Sequence, residues 1–112
     1  MGIVFERVKD SLPVSGDDYD SQIVTQIKAA VLDLTRTAEI VLPGDVEISV
    51  SGTTVTDTST LTDELAITAI ATWCNMRIGN PPNYDNLLEA YKSIKGSMRT
   101  SKEYSTYGEA TV

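Results

Sequence analysis

The run from about Asp63 to Ile78 constrains the fold most, because apolar residues occur on almost every side of the helix that it predicts. A helix with this pattern is surrounded by protein on most sides. We therefore expect it to be the central helix of a single domain, with the other elements packed around it. This run places Leu65, Ile70 and Trp73 in the predicted core.

Three further helices are predicted around this central one. Residues 3–12 carry valine or leucine at every fourth position and end before Pro13, because the residue preceding a proline disfavours helical conformation. An apolar stripe predicts a second helix over residues 19–37. The fourth helix begins at about Tyr84, after a Gly-Asn-Pro-Pro-Asn stop, and adds Leu88 and Tyr91 to the predicted core.

Alternating polarity over residues 45–57 predicts a β-hairpin between the second and third helices. A turn at Ser51-Gly52 would place Val55 opposite Ile48. The same turn would place Thr53 opposite Val50. A two-stranded hairpin is marginal alone, so it must lean on the helices or on another subunit.

The predicted fold class is therefore mainly α. A small four-helix domain spans residues 1–102, with the β-rich insertion at 45–57. Residues 103–112 show no apolar period and are predicted to be an extended C-terminal tail.

The net charge of −7 is unevenly distributed. Residues 1–64 hold 12 acidic and 4 basic residues, a net −8, whereas residues 65–112 carry a net +1. Opposite ends of neighbouring copies could therefore attract each other, although two solvated ends would give the same split. The fourth helix carries a basic stripe, which could equally be solvated surface, formed by Lys92, Lys95, Arg99 and Lys102.

An acidic cluster of Asp17, Asp18 and Asp20 precedes the second helix. Negative charge is favourable at a helix N-terminus, and the cluster lacks the spacing of a calcium-binding loop. We interpret it as helix capping, and as a candidate for contact with the basic stripe of a neighbouring copy.

The chain is poor in chemically reactive side chains. It has no histidine and a single cysteine, Cys74, so the commonest general base and metal ligand are missing and Cys74 is expected to be an inert buried thiol. We predict no catalytic, metal-binding or cofactor-binding residue, and a protein that is not an enzyme.

The charged N-terminus is unlike a signal peptide, and no apolar run is long enough to cross a membrane.

The order of elements resembles that of the head–tail connector (head-completion or adaptor) proteins of tailed bacteriophages. The similarity extends over nearly the whole chain and is architectural. The segments that carry it are Glu6–Leu12, Gly16–Asp20, Asp63–Ile67, Thr72-Trp73, Gly79–Pro81 and Tyr84–Tyr91. The β-rich segment is the part least typical of that family.

This resemblance implies a virion structural protein, made in the host cytoplasm and located in the neck at the head–tail interface. Members form a ring of identical subunits, commonly twelve, beneath the portal. The ring extends the DNA channel, contacts the passing genome without reading its sequence, and offers a docking surface to stopper or tail-completion proteins. The C-terminal segment often reaches the portal, which makes Tyr104 and Tyr107 the candidate portal contacts here.

Two other classes of function compete with this interpretation. A small helical DNA-binding or regulatory phage protein would need a basic recognition helix, and the fourth helix begins with the non-basic Tyr84-Asp85-Asn86. A carboxylate-dependent hydrolase would need paired acids or a nucleophile elbow, and neither pattern occurs. Within the connector interpretation, the basic stripe could face either a neighbouring subunit or the DNA channel.

Overall fold

A computed structural model describes residues 2–14, 16–78 and 82–100. Its helices are α1 (Val4–Ser11), α2 (Asp20–Leu32), α3 (Glu64–Arg77) and α4 (Tyr84–Thr100). Strands β1 (Ile48–Ser51) and β2 (Thr54–Asp57) form an antiparallel hairpin between α2 and α3. The predicted fold class, mainly helical with a hairpin insertion between the second and third helices, is confirmed. The predicted tail, together with Lys102, Tyr104 and Tyr107, lies outside the described residues.

Helix α3 is the centre of the domain and packs against each of the other three helices. It begins at Asp63, whose carboxylate accepts a hydrogen bond from the Ala66 N–H at 3.0 Å and so satisfies one of the unpaired first-turn donors. Its buried residues cover about half of the helix circumference at 3.6 residues per turn, a narrower arc than the apolar run predicted: Ala66, Ile67, Ala69, Ile70, Cys74 and Met76.

The predicted core needs one correction. Ile70 and Tyr91 are buried, and Trp73 and Leu88 are half-buried against the core. Leu65, however, is 36% exposed and is not a core residue. It lies in the first turn of α3, where one side of the helix still faces solvent, and the all-round apolar pattern could not indicate which side that is.

Helix α2 continues into a π-helical turn over Asp33–Thr37. The Ala38 N–H donates to the Asp33 carbonyl at 3.0 Å, five residues back, which is the wider spacing of a π-turn. The chain then leaves the helix at Glu39, which has a φ of +56°, a left-handed conformation that is unfavourable for a residue with a Cβ atom. This turn presents Asp33 towards α4.

The hairpin register differs from the prediction by two residues. Val50 pairs with Val55, and Ile48 pairs with Asp57. The turn therefore lies at Gly52-Thr53, and Gly52 has a φ of +62°, the first central position at which a type II′ hairpin uses glycine. The prediction that Val55 faces Ile48 and Thr53 faces Val50 is wrong.

The hairpin is anchored to the helices at its base. Ile48 is buried in the core, while Val50 and Val55 are half-buried. The Asp57 carboxylate accepts hydrogen bonds from the backbone N–H groups of Phe5 and Ser59, each at 2.9 Å, and thereby ties β2 to α1. The domain as a whole is a slab of 48 × 32 × 19 Å.

Candidate assembly surfaces

The basic stripe of α4 is divided by the structure into exposed and internally bound residues. Lys92 and Arg99 are exposed and form no ion pair within the described ranges. The Lys95 ammonium lies 3.1 Å from the Asp33 carboxylate and 5.0 Å from the centre of the Tyr91 ring. Lys95 therefore holds α4 to the end of α2, and its contact with a neighbouring subunit stays a prediction.

A chain of aromatic and polar contacts fixes α4 on the domain. The Tyr91 hydroxyl donates to the Asp33 carboxylate at 2.5 Å, and its ring lies 5.4 Å from that of Trp73. Burial, with the adjacent Asp33 carboxylate, raises the pKa of Tyr91 well above its ordinary value. The Trp73 indole N–H donates to the Gln26 side-chain oxygen at 3.1 Å, and the Arg77 guanidinium carbon lies 4.4 Å from the centre of the Trp73 ring.

The three residues of the acidic cluster also differ in their exposure to solvent. Asp17 and Asp18 are exposed. Asp20 is only 5% exposed, and its carboxylate accepts a hydrogen bond from the Lys9 ammonium at 2.7 Å. This part-buried ion pair joins α1 to α2. The contact of Asp20 with a neighbouring copy stays a prediction.

A second ion pair links α1 to the central helix. Arg7 forms a two-pronged hydrogen bond with the Glu64 carboxylate. This hydrogen bond lowers the pKa of Glu64 and raises that of Arg7. Both side chains are exposed, so the pair orients α1 more than it stabilises the fold.

Sequence reasoning missed an apolar groove beside the second half of α2, here called the α2 groove. It has a volume of about 610 Å³, and Val31, Val41, Leu42 and Val46 line it together with the acidic Asp45 and Glu47. Val31 and Val46 also line an adjoining depression, which Lys28 and Leu32 complete. Leu32 and Val41 are 51% and 43% exposed. The groove and the adjoining depression thus each have an exposed apolar side chain in their lining.

The metal-binding and nucleophilic potential of the described side chains can be stated directly. Within the described ranges no group of three or more acidic, cysteine or histidine side chains could hold a metal ion. Burial raises the pKa of the Cys74 thiol to about 12, so this side chain is not a thiolate nucleophile at neutral pH. The buried Asp20 binds the half-buried Lys9, and the half-buried Asp33 binds Lys95.

Comparison of the chain with models of protein families, with curated proteins and with solved structures finds no match. In the described part of the chain, no helix combines the length and the hydropathy that a membrane span requires.

Proposed function

We propose that this chain is the head–tail connector subunit of a tailed bacteriophage. Copies of it form a ring beneath the portal, extend the DNA channel, and present a docking surface to stopper or tail-completion proteins. The ring contacts the passing genome without reading its sequence. In this proposal the protein is made in the host cytoplasm and remains in the neck of the virion.

The observation that supports this proposal most is that one set of side chains joins the helices to each other, whereas another set forms exposed surfaces. Charged groups that are half-buried or buried join one helix of the slab to another, as in Lys9–Asp20 and Lys95–Asp33. Exposed groups form surfaces suited to protein contact: the α2 groove on one side and the charged outer side of α4 on another. A rigid unit with such surfaces is what a ring of heterologous contacts requires.

The overall charge is consistent with a channel that DNA slides through. When basic side chains neutralise DNA phosphates, the counterions condensed on the DNA are released into solution, and this release favours binding. A chain with a net charge of −7 offers little of this gain. Genome could therefore pass such a ring without being retained.

Portal binding tests the proposal and its assignment of the tail. The full chain should bind the portal of the phage that encodes it, whereas a chain that ends at residue 102 should retain its helical circular dichroism and lose portal binding. Tyr104 and Tyr107 are the proposed anchors, because tyrosine combines a large contact area with few rotatable bonds. A full chain that does not bind the portal would contradict the function, and a truncated chain that still binds would contradict only the role of the tail.

Binding to DNA separates this proposal from the alternative of a DNA-binding regulator. A gel-shift experiment at physiological salt should show no sequence-specific complex. A specific complex that survives competitor DNA would favour the alternative.

A further inference from the structure

We infer that copies of this chain associate head to tail, with the α2 groove of one copy packed on the outer side of α4 in the next. The inference rests on the proposed function, since it names the surfaces through which the ring would form. It is argued from the exposed residues of the two surfaces, from their positions on the slab, and from their charges.

The outer side of α4 is a stripe that points away from the core, formed by Asp85, Glu89, Lys92, Gly96 and Arg99. All five residues are exposed, and the four charged ones form no ion pair within the described ranges. We call this set the outward stripe.

Among the described residues, no contact explains the glycine at position 96 in the outward stripe. A Cβ atom placed there would meet nothing within 4 Å, and glycine in a helix interior is unfavourable compared with alanine. A glycine on an exposed helix face allows another chain to approach the backbone closely. Ser93 and Ser97 flank Gly96 and are also small and exposed, so this part of α4 is a shallow surface on which a protruding apolar side chain can rest.

The α2 groove supplies such protruding side chains. Leu32 and Val41 are the two most exposed large apolar residues within the described ranges. Both stand beside the groove that Val31 and Val46 line. Covering these residues with the small-residue surface around Gly96 would remove apolar area from water in both copies.

The two surfaces lie on opposite flanks of the buried stripe of α2, which is the arrangement that a head-to-tail contact needs. Asp33 marks the flank that faces α4, because it binds both Tyr91 and Lys95. Val31 and Lys28, which line the groove side, lie roughly 140–160° around the helix from Asp33 at 3.6 residues per turn. A contact between different faces of identical subunits repeats from copy to copy and closes when the rotation permits.

The charges of the two surfaces are complementary in one orientation. The outward stripe is acidic near its start, at Asp85 and Glu89, and basic further along, at Lys92 and Arg99. The groove side carries Lys28 at one end, while Asp45 and Glu47 line the main groove. Exposed ion pairs add little affinity, but they set orientation and exclude wrong partners. Asp17 and Asp18, the acids first considered for this contact, do not line the groove.

Two variants that each damage one surface provide a sharp test. Leu32→Asp damages the groove side, and Lys92→Glu with Arg99→Glu damages the outward stripe. Sedimentation velocity and native mass spectrometry, from micromolar to millimolar protein, should show concentration-dependent association for the wild type. Each variant alone should associate at least tenfold more weakly, whereas an equimolar mixture of the two should form a discrete 1:1 heterodimer, because one intact copy of each surface remains.

Two further variants separate this contact from general effects on the chain. Leu65→Asp is the matched control for Leu32→Asp, since it also places a carboxylate at an exposed leucine, and it should associate like the wild type. Gly96→Gln should raise the thermal unfolding temperature of the monomer, because glutamine favours a helix and has open space at this position. The same change should weaken association at least tenfold, because the added side chain holds the second copy away.

The opposite results would overturn the inference. These are a wild-type chain that stays monomeric at every concentration, a mixture of the two damaged variants that forms no heterodimer, or a Gly96→Gln chain that associates normally. A wild type that forms multi-copy assemblies on the portal while all these variants do so equally well would leave the proposed function standing and remove these surfaces from it.

Discussion

At the scale of single residues, Asp33 is the hydrogen-bond acceptor on which the attachment of α4 depends most. Its side chain accepts a hydrogen bond from the Tyr91 hydroxyl at 2.5 Å and one from the Lys95 ammonium at 3.1 Å. Both donors belong to α4, whose own buried residues are only Tyr91 and Met98. The attachment of α4 therefore depends on this carboxylate to an unusual degree.

Replacing Tyr91 by phenylalanine tests this dependence. Tyr91→Phe should lower the free energy of unfolding by about 1–2 kcal/mol, because it removes a hydrogen bond to a charged and largely buried acceptor. Urea unfolding followed by circular dichroism measures the change. Tyr84→Phe is the matched control, since Tyr84 is 40% exposed, and it should change stability by a few tenths of a kcal/mol at most. Equal effects of the two substitutions would contradict the role given to Asp33.

Asp57 makes the stability of the fold depend on pH. Burial acts to raise the pKa of Asp57, but hydrogen bonds from Phe5, Ser59 and Val4 together outweigh it and hold the pKa below its ordinary value of 3.8. The unfolded chain therefore binds a proton more readily than the folded chain does. The stabilisation is fully present above pH 3.8 and is lost as the pH falls through the lower pKa of the folded state.

The expected result is a loss of stability that depends on Asp57 and that occurs as the pH falls below 3.8. Asp57→Asn should be less stable than the wild type at pH 6, and it should lose less on acidification, because no carboxylate remains to titrate. Urea unfolding at pH 6 and at pH 3 measures how much stability each chain loses on acidification. Asp10→Asn, at an exposed carboxylate, should keep the pH dependence of the wild type. A wild-type slope in the Asp57→Asn chain would contradict this account.

At the scale of elements, Gly44 and Gly96 differ in whether the surrounding atoms leave space for a side chain. A Cβ atom at Gly44 would lie 2.7 Å from the Leu61 Cα atom and 2.9 Å from the Leu61 nitrogen. Both are backbone atoms that cannot easily move aside. Gly44 thus lets the chain after α2 pass close to the segment that leads into α3. Gly96, in contrast, has open space around it.

The same substitution at these two positions should therefore have opposite signs. Gly44→Ala should lower the free energy of unfolding by about 1–3 kcal/mol, because the added methyl group overpacks against backbone. Gly96→Ala should raise it by about 0.5–1 kcal/mol, the difference in helix propensity. Thermal or urea unfolding at concentrations where the protein is monomeric measures both. Destabilisation by Gly96→Ala would show that this residue has a role within its own chain.

The elements also show which features a sequence can predict. The four helices follow from the spacing of apolar residues and from the stops at Pro13 and after Ile78, because these are local signals. The hairpin register is different. A shift by two residues keeps every side chain on the same face of the hairpin, so alternation could not distinguish a turn at Ser51-Gly52 from the observed one at Gly52-Thr53.

The candidate surfaces were predictable only in part, because some of their features depend on contacts between segments that are distant in the chain. That Lys92 and Arg99 share one side of a helix is a matter of spacing alone. That Lys95 is bound internally depends on where α4 meets Asp33, some sixty residues away in the chain. The α2 groove and the adjoining depression combine residues 31–32 with residues 41–47, and no periodicity within either segment indicates that they meet.

At the scale of the whole molecule, the slab behaves as one structural unit built on α3. The core residues of α1, α2, α3 and the hairpin belong to a single cluster, and Cys74 lies within it with no exposure to solvent. Because burial raises the pKa of this thiol to about 12, it can react only when the core opens.

Labelling of Cys74 should therefore report global unfolding. A thiol reagent at pH 8 should modify the native protein at the rate at which the chain unfolds, as measured separately by urea jump, and should modify the unfolded chain at once. An added cysteine at the exposed Ser93 should react without delay and serves as the control. Rapid labelling of Cys74 in the folded chain would contradict a single closed core.

The central claim is that this polypeptide acts by packing beside copies of itself on a portal, and the mass of that assembly tests it most directly. Native mass spectrometry of the purified chain, alone and with the portal, counts the copies in each complex. The account predicts one discrete complex on the portal with a fixed number of copies of a 12.1 kDa chain, a dodecamer being the number that the resemblance suggests. A chain that remains a monomer in the presence of the portal would contradict it.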